Sequence, residues 1–393
     1  MRERKAMDGL KKSRIRKGRR DFLKGMAAVA GVSGLAGCQA VRRTSNSTLK
    51  GRVVKGPDME VIKGRVEVRD GKIDEVVEEG VESDDIILPS FVNTHTHITD
   101  SVAKERARNY NWTELFVSPD KKHEFIREHT RHERRSAMKG TMEYMNEGGT
   151  AAFVDFTEMG VAGVSDLKHA SNGTELEPFP LLTKPDLQGY KDLASEIQKA
   201  SGFTDYYPYD EVTVRGAEIC REEGLLFPLH AGESSTQDID AAFELDPTYL
   251  VHMVQARGKD FEKLDKTGIP VSVAPRSNLV ILGEKPPMER LDGVTTVALG
   301  TDNVMLNSPS MWREMEFTSK LYDLPPEKVL RMATANAAEL AGISDRMGTI
   351  EEGKEAKITV LSGTGELLDL PMEETVAGIT RRATGREVKQ VIR

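Results

Sequence analysis

Between residues 86 and 302 the chain alternates short apolar, strand-like runs with amphipathic helical stretches, and that alternation constrains the fold more than any other feature. Eight strand candidates can be counted, at residues 86–93, 150–156, 180–184, 203–207, 225–230, 250–252, 271–275 and 294–302. Eight such units predict an α/β fold of the (β/α)8 TIM barrel kind rather than an open sheet. The intervening helices carry ordinary boundary signals. Asp323 ahead of Pro325-Pro326 and Gly342 after Ala341, for instance, predict a helix over 327–341.

Ahead of the first unit the pattern changes to alternating segments, Lys50-Gly-Arg-Val-Val54, Gly64-Arg-Val-Glu-Val-Arg69 and Lys72-Ile-Asp-Glu-Val-Val77, separated by turn residues. These read as antiparallel strands too few to close a core alone. Matching material lies at the other end, in Ala356-Lys-Ile-Thr-Val-Leu361 and in β-like stretches at 375–379 and 387–392. The expected organisation is an export signal and linker over 1–48, a small β-sandwich built from 49–87 plus 346–393, and a barrel over 88–345.

The barrel's unexpected polar residues fall at the carboxyl ends of its strands, the catalytic face of such folds. The first strand leads into Asn93-Thr-His-Thr-His97, where His95 and His97, at i and i+2, share a face and can grip one ion. The fifth leads into His230-Ala-Gly-Glu233, the sixth ends in Leu250-Val-His252, and the eighth in Gly300-Thr-Asp302. Each is individually compatible with a capped strand end. Together, neutral imidazoles and a carboxylate at these positions can converge on one divalent ion as three histidines plus Asp302.

Charge is distributed unevenly. Residues 1–48 hold 13 Lys and Arg against 3 Asp and Glu, which leaves 42 basic and 60 acidic residues, a net charge of −18, in the rest. Nucleic acid is thereby an unfavoured partner. The basic leader has an order as well as a charge: Arg19-Arg20, then Asp-Phe-Leu-Lys24, an apolar run from Gly25 to Gly37, and Cys38. It resembles a twin-arginine export signal, and Leu35-Ala-Gly-Cys38 resembles a lipoprotein cleavage box. The implied location is outside the cytoplasm, membrane-associated through one weak lipid anchor on Cys38. A leader that does not function would leave the protein cytoplasmic. The second cysteine, Cys220, reads as buried filler.

The order H-x-H, H-A-G-E, a lone histidine, Pro275-Arg-Ser-Asn278 and Gly300-Thr-Asp302 resembles the amidohydrolase superfamily, in the branch of cytosine, guanine and S-adenosylhomocysteine deaminases and triazine chlorohydrolases. The resemblance spans residues 49 to 361. It implies that His95, His97, His230 and Asp302 are metal ligands, that Glu233 is the proton-shuttling acid, and that His252 steadies the water or the developing oxyanion. Glu233 and His252 would also contact substrate. Some members hold a second metal through a lysine on the fourth strand, but Lys184 falls on the third, so one divalent metal is expected, zinc ahead of iron. His123, His129, His132 and His169 lie in charged helical stretches and read as solvated. Trp112 and Phe116 read equally as a lid or as core.

The chemistry so implied is hydrolytic deamination of a cyclic amidine, a nucleobase or nucleoside-like compound, by metal-activated hydroxide. Small-molecule substrate and water are then the partners, with self-association left open. The same site would serve hydrolysis of a cyclic amide or of a xenobiotic ring. A rival from another class is an exported metal- or ligand-binding lipoprotein without turnover, for which Glu233 and His252 would have no use.

Overall fold

A computed structural model describes residues 46–117, 120–184, 192–364 and 367–393; the leader, with Arg19, Arg20 and Cys38, lies outside the described residues. The strands fall into three sheets. The first has six strands in the order β15-β14-β4-β1-β2-β3, where β1 is Ser47–Lys55, β2 Glu60–Arg69, β3 Lys72–Glu78, β4 Ile86–Pro89, β14 Ile358–Leu361 and β15 Val388–Ile392. Strands from residues 47–89 and 358–392 therefore share it. They build a single sheet in which β1, β2 and β3 form an antiparallel meander, β4 joins β1 in parallel, and β14 pairs antiparallel to β4.

The other two sheets are parallel and carry the site. One runs β13-β5-β6-β7-β8, with β5 at Phe91–His97, β6 at Thr150–Thr157, β7 at Glu177–Thr183, β8 at Gly202–Thr204 and β13 at Asp302–Asn303. The other runs β12-β11-β10-β9, with β9 at Leu229–Ala231, β10 at Leu250–His252, β11 at Val271–Val273 and β12 at Val297–Leu299. An isolated parallel bridge, Gly202 to Leu226, links β8 to the segment before β9. At the opposite edge the Gly300 N–H donates to Val273 (2.9 Å) and the Thr301 N–H to His95 (3.0 Å). β6 is buried along its whole length, as a parallel strand covered on both faces must be.

Several expected boundaries are corrected. The run at 86–93 is two strands, because the chain changes sheets at Ser90: its N–H bonds Lys357 (2.9 Å), whereas that of Phe91 bonds Gly149 (2.9 Å). Pro228, which has no N–H to give a ladder, leaves Leu226 in its bridge and starts β9 at Leu229. The β-like stretch at 375–379 is a helix, Thr375–Arg381, whose buried Thr375, Val376, Ile379 and Thr380 follow helical spacing. The helix expected over 327–341 breaks at Thr334, where φ is −130° and ψ −90°, into Pro326–Ala333 and Ala335–Leu340. No described helix is long and apolar enough to cross a membrane.

Beneath the site lies a polar floor. Asn93 donates to Thr301 Oγ1 (2.7 Å), the hydroxyls of Thr94 and Ser272 meet at 2.6 Å, and the fully buried Tyr249 donates to the Thr94 carbonyl (2.8 Å). Satisfied bonds of this kind hold the strand ends in register at little cost in buried polarity. Gly300 is a packing requirement, since a Cβ there would lie 2.5 Å from that of His95.

Candidate active site

All the histidines and carboxylates read from the strand ends come together at one place. His95, His97, His230, His252 and Asp302 each keep 7% exposure or less. Ring centroids of His95 lie 4.8 Å from His97, 5.0 Å from His230 and 5.3 Å from His252. Oδ1 of Asp302 sits 3.2 Å from Nε2 of His95 and 3.4 Å from Nε2 of His97. Asp302 reaches this point because β13, only two residues long, pairs beside β5, setting Asp302 opposite Thr96 and Asn303 opposite His97.

The donor set fits a metal ion. Candidate ligand atoms of His95, His97 and His230, and of His95, His252 and Asp302, each lie within 4.8 Å of one another. Ligand bonds of 2.0–2.1 Å in a tetrahedron put neighbouring ligand atoms about 3.3 Å apart, which the Asp302 approaches to His95 and His97 match. Both ring nitrogens of His95, and Nδ1 of His230, are buried without a hydrogen-bond partner. Nitrogens orphaned in this way are costly unless something else binds them.

Electrostatics favour the same use. Burial drives His95 down to about 3 and His230 well below its ordinary range, so both rings are neutral and offer lone pairs at pH 7. Burial alone would raise Asp302, yet the imidazoles of His95, His252 and His97 hold it well below the usual carboxylate range. His97 is displaced upward: burial and Lys122 oppose its charge, and Glu158 and Asp302 outweigh them.

Glu233 stands beside this cluster and outside it. Its Oε1 lies 3.8 Å from Nε2 of His252, and burial raises its pKa, against the pull of His252. The turn that carries it runs through Gly232 at φ +61°, where a Cβ would lie 2.8 Å from Ile239. Backbone strain concentrates here too, with His252 at φ 76° and Asp302 at φ 62°, conformations that non-glycine residues seldom adopt outside functional sites.

The motif Pro275-Arg-Ser-Asn278 acquires particular jobs. Ser277 donates to Asp302 Oδ2 (2.6 Å), Asn278 donates to His252 Nδ1 (3.1 Å), and Arg276 is tied to the buried Glu314 (2.6 Å). Sequence reasoning missed Glu158, Lys122 and Tyr206. Glu158 follows β6 directly and could have been found as one more strand-end carboxylate. Tyr206, just beyond β8, stacks on His230 at 4.6 Å while 42% of its surface stays exposed at the mouth. Lys122, in a charged helical stretch, gave no signal.

Other expectations resolve away from the site. His123 meets Asp120 (2.9 Å), His129 bonds the Phe125 carbonyl (2.9 Å), and His132 and His169 are exposed. Lys184 is paired with Asp210 at 2.6 Å. Trp112 presents its buried indole nitrogen toward Glu233 without reaching hydrogen-bond geometry, and Phe116 packs against a cluster that includes Leu115 and Phe125. Cys220 is buried, and burial pushes its thiol up to about 12.

Known proteins resemble this chain in sequence and in fold. The chain is 27% identical over 393 aligned residues to a 5-methylthioadenosine/S-adenosylhomocysteine deaminase of Thermococcus onnurineus, covering 87% of this chain and 91% of that one. Its fold is similar to a zinc-bound adenosine deaminase from Xanthomonas campestris, with a TM-score of 0.75 at 18% identity over 88% of this chain and 90% of the other. It is also similar to a guanine deaminase from C. acetobutylicum with bound guanine, with a TM-score of 0.71 at 15% identity over 88% of this chain and 98% of the other. The model of the amidohydrolase family matches residues 86–393, and the chain belongs to that family.

Proposed function

We propose that this amidohydrolase deaminates a cyclic amidine, a nucleobase or nucleoside-like ring, at a site holding one divalent metal, zinc ahead of iron, through His95, His97, His230 and Asp302. The observation that carries the reading is Glu233: a half-buried carboxyl beside His252, with a raised pKa, next to but outside the metal cluster. A pure metal-binding protein has no use for such a group. A divalent cation bound there supplies the Lewis acidity that makes water nucleophilic at neutral pH.

The protein's own residues do the rest. Asp302 accepts the proton of the attacking water. Glu233, kept protonated more readily by burial, passes a proton to the ring nitrogen beside the reacting carbon and so makes that carbon the better electrophile. Asn278 fills Nδ1 of His252, which leaves the proton on Nε2 to donate to the developing oxyanion. Tyr206 offers a flat face at the mouth for a planar ring. Asp302 then passes the proton it took from water to the amino group, the carbon–nitrogen bond breaks to release ammonia, and the hydroxyl gives its proton back to Glu233 as the carbonyl forms. The test is ammonia release by the purified protein against purines, pyrimidines and their nucleosides. Release of the ring's other substituent, or of nothing from a zinc-loaded preparation, would count against deamination.

We further propose that β5 to β12, joined through the Gly202 bridge and the bonds of Gly300 and Thr301, make a closed (β/α)8 barrel over 88–345, with the six-stranded sheet as its companion module. The proposed destination is export by the twin-arginine route with lipidation at Cys38, supported by the order of parts in the leader.

A further inference from the structure

Glu158 follows β6 at its carboxyl end, and Lys122 belongs to the helix Lys121–Arg127, so the two approach His97 from different segments of the chain. Oε1 of Glu158 accepts from Nδ1 of His97 across 2.6 Å, and the Lys122 ammonium is ion-paired with that same oxygen. The side chains of His97, Glu158 and Lys122 keep 3%, 2% and 5% of their surface. Lysine is almost never buried to this degree without a partner, and none of the steps above makes use of either Lys122 or Glu158. Oε2 of Glu158 has no hydrogen-bond partner. An ion pair serving charge balance alone has two carboxylate oxygens to share; here imidazole and ammonium converge on one.

The consequence falls on the ring. With the proton of His97 on Nδ1, held by Glu158 and by the Phe156 carbonyl at 3.1 Å, Nε2 keeps its lone pair and faces Asp302 Oδ1 at 3.4 Å. We propose that Lys122 is a positioning residue for the metal centre: by locking Oε1 of Glu158 against Nδ1 of His97, it fixes both the tautomer and the tilt with which His97 meets the ion. The inference rests on the metal reading given above.

Three proteins test it: the full chain, Lys122→Met, and Lys122→Met combined with Glu158→Gln. Zinc affinity is read by competition with a chromophoric chelator, ligand field by the visible absorption of the cobalt-loaded protein, and stability by melting of the metal-free form. Both variants bind zinc about 10–100-fold more weakly and shift the cobalt bands. The double variant, in which both charges of the Lys122–Glu158 pair are removed together, melts closer to the parent than the single one, which leaves Glu158 buried without its ammonium; that difference separates positioning from folding. Parental zinc affinity with an unshifted cobalt spectrum in the folded double variant overturns the role of Lys122. A parent chain that takes up neither metal overturns the metal reading along with it.

Discussion

The side-chain amide of Asn278 donates to Nδ1 of His252 across 3.1 Å, and both residues are buried. The bond selects the tautomer of His252 that keeps its proton on Nε2, the nitrogen 3.8 Å from Oε1 of Glu233. Asn278→Leu keeps the volume and removes the selection. A loss of about tenfold in kcat with unchanged metal content is expected, the usual worth of one such bond. Unchanged turnover would mean that His252 needs no second partner.

Glu233→Gln separates catalysis from metal binding. The variant keeps its metal and most of its substrate affinity while kcat falls by roughly 10²–10⁴-fold, the contribution of a positioned acid–base group. Metal content, melting temperature and kcat are to be measured on one preparation. Near-normal kcat with a lowered melting temperature would reduce Glu233 to a structural residue.

The metal itself is checked by elemental analysis. The parent chain returns close to one equivalent of zinc or iron. His95→Ala combined with His230→Ala removes two imidazoles that carry buried, unpartnered nitrogens, and the metal is lost. Full retention in the double variant would dismantle the ligand assignment.

Asp155 makes a pH prediction for the metal-free protein. It accepts from Ile98 N–H (2.7 Å), Thr96 (3.0 Å) and Thr157 (2.8 Å), yet burial raises its pKa to about 6. Because the folded carboxyl holds its proton more tightly than the unfolded one, the folded state is favoured below pH ~4, and that advantage drains away as pH rises to about 6. The full swing is about 3 kcal/mol. Asp155→Asn flattens the dependence of melting temperature on pH between 4 and 6; an equal slope in both proteins would place the proton elsewhere.

Export is tested by replacing Arg19 and Arg20 with lysine, which conserves charge. The protein then stays in the cytoplasm of a host that has the twin-arginine pathway. Unchanged fractionation would make the leader a plain basic tail and leave the enzymology untouched.

The site was more legible in the sequence than the fold around it. His95, His97, His230, His252 and Asp302 could be found because parallel strands present their carboxyl ends to one face, so strand-end polar residues are neighbours whatever their separation in sequence. Strand limits were less legible where tertiary contacts overrule local pattern. The run at 86–93 looks continuous in composition, and only the competing ladders of Lys357 and Gly149 divide it at Ser90. Thr375–Arg381 is rich in β-branched residues, yet the surface it covers calls for helical spacing. Lys122 was invisible for a related reason: among charged neighbours in a helix, nothing marks the one lysine whose partner is a carboxylate brought in by a distant strand.

The pairing of Asp302 and Asn303 with Thr96 and His97 also sets a schedule. A chain still being synthesised has its first two histidines long before residue 302 leaves the ribosome, and until then nothing completes the cluster. The full proposed ligand set therefore exists only once residue 302 has been made and its two-residue strand has paired beside the one carrying His97, so the last ligand is also the one that depends on the longest stretch of finished chain.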